Sequence, residues 1–229
     1  MKTIGLLGGM SWESTALYYR LINEETKRRL GGLHSAPIVM VSVDFQEIEE
    51  LQNRGDWSTA ADLLAADAKR IEKAGADFLL ICTNTMHKVA DEVAAAIDIP
   101  LLHLADATAD QVIAAGLDTV GLLGTRFTME HDFYKGRLES RGISVLTPSS
   151  EGRDLVHRVI YEELCLGSVK DESRQAFLAI IDELVARGAQ GVIQGCTEIG
   201  MLVNESHTAV PLFDTARIHA ERAFDLALE

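Results

Sequence analysis

Positive charge is scarce in this chain: Lys and Arg number 21 against 35 Asp and Glu among 229 residues, a formal net charge of −14. Nucleic acids and anionic membranes both require clustered cations, so neither is an expected partner. Long apolar runs are also missing, and none approaches the roughly 20 residues of a membrane span. The opening MKTIGLLGGMSWEST has an apolar stretch far shorter than a secretory signal requires and meets Glu13 directly after it. Cysteine is limited to Cys82, Cys165 and Cys196, an odd set with no CxxC pair. That argues against a disulfide framework or a zinc site and leads us to expect a reducing, cytoplasmic setting. Neither GxGxxG nor GxxxxGK[ST] occurs, which removes the two commonest nucleotide signatures. None of the seven lysines stands in a recognisable pyridoxal-phosphate context, and we expect neither cofactor nor metal.

What is present is an ordinary globular balance of 47% hydrophobic and 24% charged residues, enough for one large domain or two small ones. Apolar runs at 3–7, 38–43, 78–81, 101–104, 119–123, 144–146, 191–194 and 210–213 read as strands. They are nearly continuous in Ile, Val and Leu, as parallel strands covered on both faces are. Between them lie stretches of helical period. Residues 60–73 set Leu63, Leu64, Ala68 and Ile71 on one stripe, and residues 174–187 do the same with Phe177, Ile180, Ile181 and Leu184. The alternation implies an α/β fold built on parallel sheet.

The sequence also repeats itself. Thr3-Ile-Gly-Leu-Leu-Gly8 recurs as Thr119-Val-Gly-Leu-Leu-Gly124 at an offset of 116. Residues 73–82 are echoed by 186–195 at an offset of 113, and Ile99-Pro-Leu101 by Val210-Pro-Leu212 at 111. Three echoes in one order imply two α/β halves related by duplication, with a cleft between them. We expect residues 1–104 plus 210–229 to form the first half and 105–209 the second.

Ligands of open parallel sheets bind beyond the carboxyl ends of strands. Four junctions there are rich in small or hydroxyl residues: Gly8-Gly9-Met10-Ser11, Cys82-Thr83-Asn84-Thr85, Gly124-Thr125-Arg126 and Gly195-Cys196-Thr197-Glu198. Such loops let backbone N–H groups approach an anion. Small residues at these junctions are also common for steric reasons alone, but two thiol-bearing junctions at duplicated positions are harder to account for that way.

Cys82-Thr-Asn-Thr-Met-His87 and Val192-Ile-Gln-Gly-Cys-Thr-Glu-Ile-Gly200 resemble the two signatures of the aspartate/glutamate racemases, and the likeness extends to Ile4–Met10 and Tyr161-Glu-Glu-Leu164. The broad-range bacterial members are the nearest in pattern. The resemblance implies two pseudo-symmetric α/β domains with parallel or mixed sheets, the active site between them, a homodimer, and racemisation of a small acidic amino acid without pyridoxal phosphate. Inversion at Cα needs a base on one face and an acid on the other. A thiolate serves as the base once helix N-termini and polarising neighbours lower its pKa.

In most of that family a cysteine directly precedes the first Asn-Thr; here Thr83 does, with Cys82 one residue earlier. Aligning Gly75-Ala76 on Gly188-Ala189 sets Thr83 opposite Cys196 and Cys82 opposite Gly195. Side chains alternate along a strand, so Thr83 and Cys196 are the expected catalytic pair, and Cys82 is the alternative should a bulge turn it inward. By the resemblance, Cys196 takes the proton from the L-isomer and its partner acts on the D-isomer, so L-substrates are favoured. Met10, Ser11, Gln52, Asn84, Thr85, Thr197 and Glu198 are the implied substrate-binding residues, with Arg54 close to Gln52. Glu198 would receive the ammonium or orient Thr197. His87 reads equally as a solvent-facing helix residue, and the other six histidines read as structural. Where relatives often carry a lysine, this chain has Cys165. A single-thiol decarboxylase or isomerase of the same superfamily, or a non-catalytic small-acid binder, are the competing readings.

Overall fold

The computed structural model describes residues 1–229, which form two compact units: Met1–Leu104 with His219–Glu229, and Ala105–Ile218.

The first unit runs β1 (Ile4–Gly8), α1 (Trp12–Leu30), β2 (Ile38–Ser42), α2 (Phe45–Arg54), α3 (Trp57–Lys73), β3 (Phe78–Ile81), a 3-10 turn (Thr85–Val89) and α4 (Ala90–Ala95). Its three strands are parallel in the order β2-β1-β3. Local chemistry sets the helix limits. Ser11, Asp44 and Asp56 cap the starts of α1, α2 and α3 through their side chains, and Gly55 closes α2 in the left-handed conformation. Leu64, Ala68 and Ile71 of α3 pack with Leu7, Leu79 and Ile81 in one core. Leu63, expected on that stripe, is 41% exposed. It lies one step (100°) away from Leu64 around the helix and falls outside the buried arc.

The expected strand at 101–104 shrinks to a single bridge between Leu79 and Leu101. Leu79 N–H donates to Pro100 O and Leu102 N–H to Leu79 O, both at 2.9 Å. Pro100 has no N–H to extend the ladder, and α5 (Leu104–Ala114) begins at once.

The second unit continues with β4 (Thr119–Gly124), α6 (Arg126–Glu130), α7 (Asp132–Glu139), β5 (Ser144–Leu146), α8 (Ser150–Glu162), a 3-10 turn (Leu164–Leu166), α9 (Asp171–Ala186), β6 (Gly191–Gly195), α10 (Ile199–Leu202), β7 (Leu212–Asp214) and α11 (Thr215–Leu228), whose residues from His219 onward belong to the first unit. Its sheet is parallel, ordered β5-β4-β6-β7. Phe177, Ile180, Ile181 and Leu184 of α9 are buried, as their spacing predicts.

The assignment of 210–218 to the first half is corrected by this topology. β7 pairs in parallel with β6, Ile193 opposite Phe213, so backbone hydrogen bonds hold that segment in the second sheet. The likeness of Val210-Pro-Leu212 to Ile99-Pro-Leu101 reflects equivalent edge positions in two sheets. It does not mark a return to the first one.

Candidate active site

The two sheets carry their candidate residues at matching ladder positions. β1 sets Leu7 opposite Ile81, and β4 sets Leu123 opposite Gln194. The repeat offsets of 116 and 113 carry the first pair onto the second. Two residues further along stand Thr83 in one unit and Cys196 in the other. Cys82 N–H donates to Leu7 O at 2.9 Å, and Cys82 thereby takes the place held by Gly195, which pairs with Gly124. Cys82 is wholly buried, and burial pushes its thiol far above the ordinary range. Thr83 is half-buried, as is Cys196.

The loop after β1 can be built only on glycine at one point. Gly9 has φ +92°, and a Cβ there would lie 2.3 Å from Val43 O and 2.4 Å from Val43 N. Gly9 N–H donates to Thr15 Oγ1 (2.7 Å), whose hydroxyl donates to Ser11 O (2.9 Å). Ser11 Oγ accepts from Ser14 N–H at 3.2 Å, and the Ser14 hydroxyl donates to Cys82 O at 2.9 Å. The glycine loop is thus tied to the chain entering Thr83.

Behind Thr83 lies a buried histidine cluster. His87 Nε2 accepts from Leu104 N–H at 3.2 Å, which leaves its proton on Nδ1 to donate to Thr83 O at 2.7 Å. His87 is 3% exposed, so the solvent-facing reading of this residue is set aside. His219 donates from Nε2 to Leu102 O (2.8 Å) and accepts the Tyr18 hydroxyl on Nδ1 (2.9 Å). Burial first, and then the neighbouring His87, lower its pKa to about 3, so it stays neutral. The His103 ring lies 4.6 Å from that of His87.

Two of the implied substrate contacts in this unit have side chains packed against the protein. Met10 is 3% exposed and belongs to the first core. Gln52 is also 3% exposed, lies within α2 and not in a loop, and donates from Nε2 to Met86 Sδ at 3.0 Å. Arg54, at the end of the same helix, is exposed. Asn84 and Thr85 are buried at the start of the 3-10 turn.

In the second unit Thr125 caps α6, its hydroxyl 3.2 Å from that of Thr128. One carboxylate oxygen organises the loop after β6: Glu198 Oε2 accepts the Cys196 thiol at 2.9 Å and the Thr197 hydroxyl at 2.7 Å. Burial, then the Glu198 charge and the nearby Cys165 thiol, hold the Cys196 pKa well above the ordinary thiol value. This corrects the expectation of a lowered pKa. The helix that follows has four residues, and a carboxylate occupies the place where a cation would be needed. At rest Cys196 is a neutral thiol, and deprotonating it requires Glu198 to take the proton or a cation to arrive.

Sequence reasoning noted Cys165 only as standing where relatives often carry a lysine and missed its packing on the same core cluster as Cys196. It also missed the bracing role of His87 and His219, since hydrogen bonds across 117 residues, such as His219 to Leu102, leave no local spacing. No three His, Cys, Asp or Glu side chains gather as a metal site, and no helix is long and apolar enough to cross a membrane.

Comparison with known proteins adds to this geometry. Residues 7–223 match the family model described as Asp/Glu/hydantoin racemase. A crystal structure from Yersinia pestis, provisionally assigned as an Asp/Glu racemase, is 57% identical with a TM-score of 0.94, covering 100% of both chains. An aspartate racemase homologue from Pyrococcus horikoshii is 33% identical with a TM-score of 0.89, again over 100% of both chains. The broad specificity amino-acid racemase RacX of Bacillus subtilis is 20% identical over 93% of this chain and 92% of its own length.

Proposed function

The chain belongs to the Asp/Glu/hydantoin racemase family and is an amino-acid racemase; on that premise we propose that it inverts Cα of acidic amino acids without a cofactor, acting chiefly on L-isomers. The observation that carries the reading is the shared ladder register of Thr83 and Cys196, with Cys82 buried one residue away. In this reading Cys196 removes the α-proton of the L-isomer. Its own proton passes first to Glu198, 2.9 Å away, and the substrate's α-ammonium supplies the positive charge that favours the thiolate. Charge developing on the α-carboxylate is stabilised by backbone N–H donors of the strand-end loops. The Thr83 hydroxyl delivers a proton to the opposite face and regains one from solvent, while Glu198 returns the thiol proton to solvent. Aspartate or glutamate as substrate is supported by what the relatives are named for.

A homodimer working in the cytoplasm completes the proposal; three free cysteines suit a reducing compartment. Chiral chromatography after incubation with L-aspartate and L-glutamate tests it. The D-isomer should appear with no loss of total amino acid, before and after treatment with a chelator. Loss of carboxylate as carbon dioxide would favour a decarboxylase. Binding without product would favour a small-acid binder.

A further inference from the structure

The second unit has a cavity of about 790 Å³ lined by residues that the racemase reading leaves unused, among them Gln194, Gly200, Leu212, Phe213, Asp214 and Arg217. Gln194 is 4% exposed. Its Nε2 donates to Val203 O at 2.7 Å, which fixes the amide orientation and turns Oε1 toward the cavity, where no protein group donates to it. Asp214 commits Oδ1 to the N–H groups of Ala216 and Arg217 at 3.0 and 3.1 Å, and Oδ2 has no such partner. The two oxygens converge. A Cβ placed on Gly200 would lie 3.6 Å from Asp214 Oδ2 and 4.0 Å from Gln194 Oε1. Gly200 keeps that point open, and those distances are ordinary contacts, so nothing steric requires glycine there.

We propose that this cavity binds a primary alkylammonium group, held by Gln194 Oε1 and Asp214 Oδ2 beside Gly200. Gln194 Oε1 accepts no hydrogen bond from the protein and sits next to a carboxylate oxygen, so the complement is a group that brings both N–H donors and positive charge. An ammonium supplies three donors on one compact cation. Two oxygens, one of them neutral, are too few for calcium or magnesium. Leu212, Phe213 and Ile218 supply an apolar wall for methylene groups, and the net charge of −14 favours entry of a cation. Arg217, exposed and without an ion-pair partner, lies on the same lining and would suit a carboxylate at the far end of an amino acid.

Titration calorimetry with 1,4-diaminobutane and with L-lysine, on the full chain, tests the assignment. Both should bind, and tetramethylammonium, which has no N–H, should bind at least about tenfold more weakly. Asp214→Asn, which keeps the helix cap and removes the charge, should weaken both amines by about tenfold or more. Gly200→Ala, which fills the shared point, should do the same with an unchanged melting temperature. Glu198→Gln, in the loop of Cys196, should leave both affinities as they were. An Arg217→Ala variant that weakens only lysine assigns the site to amino acids; one that weakens neither assigns it to simple amines, and either outcome supports the ammonium site. The proposal is overturned if no amine binds. It is overturned equally if Asp214→Asn and Gly200→Ala bind as the native protein does, or if affinity disappears in Glu198→Gln instead.

Discussion

The loops after β3 and β6 occupy one ladder register in two sheets, yet they are held and charged in opposite ways. Thr83 has a hydroxyl and is fixed through its carbonyl by the His87 ring, with the neutral His219 bracing Leu102 nearby. Cys196 carries a thiol and is fixed through its side chain by a carboxylate. A hydroxyl ionises far less readily than a thiol, so in the proposed reading the base comes from the second loop, once the Cys196 proton has passed to Glu198. Symmetry of backbone has been kept while symmetry of chemistry has not. Racemases need two faces served, but nothing requires the two servants to be equally strong.

The harshest break of this comparison is Cys196→Ala. It removes the proposed base and should lower racemisation of L-aspartate or L-glutamate by about 10³-fold, within the usual range for an acid–base group. Circular dichroism and the melting temperature should be nearly unchanged, because Cys196 is only half-buried. Substantial turnover by a folded Cys196→Ala protein would end the assignment.

Acid separates the loops next. His219 has a folded pKa of about 3 against the ordinary 6.5, because burial disfavours the imidazolium. Below pH 6.5 the unfolded chain takes up a proton that the folded chain refuses. Stability is therefore complete above about 6.5 and declines as pH falls toward 3, at about 1.4 kcal/mol per pH unit from this group. His219→Gln should flatten that part of the melting-temperature profile. An identical acid slope in the variant would remove His219 from the account.

The smallest effect is expected at Cys82. It is wholly buried, so Cys82→Ala should cost stability, about 1 kcal/mol, and should change turnover by less than about threefold. A well-folded Cys82→Ala protein with no activity would instead make Cys82 the partner of Cys196.

Most of the fold was legible because its signals are local or periodic. The strand runs are apolar, the helix stripes keep their spacing, and the duplication preserves a six-residue string. The repeat even anticipated the matched register, since parallel strands leaving one ladder must end level. What stayed hidden was long-range or directional. Nothing in the sequence around Leu212 says which sheet edge it joins, and the placement of 210–218 was accordingly missed. Met10 and Gln52 carried the family pattern, but burial is decided by tertiary packing. The Cys196 pKa was misjudged for a related reason. A motif gives the residue types, whereas the sign of the shift depends first on burial and then on where Glu198 turns its carboxylate.

The most direct test of the central claim, that matched loops bear unequal bases, is the rate of α-hydrogen exchange in deuterated water, followed separately from each enantiomer. The equilibrium constant between free enantiomers is fixed near one, so the asymmetry can appear only in rates and binding. We predict clearly faster exchange from L-glutamate or L-aspartate than from the D-forms, and a gain on the D side when Thr83→Cys restores a thiol. Equal exchange from both enantiomers in the native protein, or a Thr83→Cys variant with no D-side gain, would contradict the account.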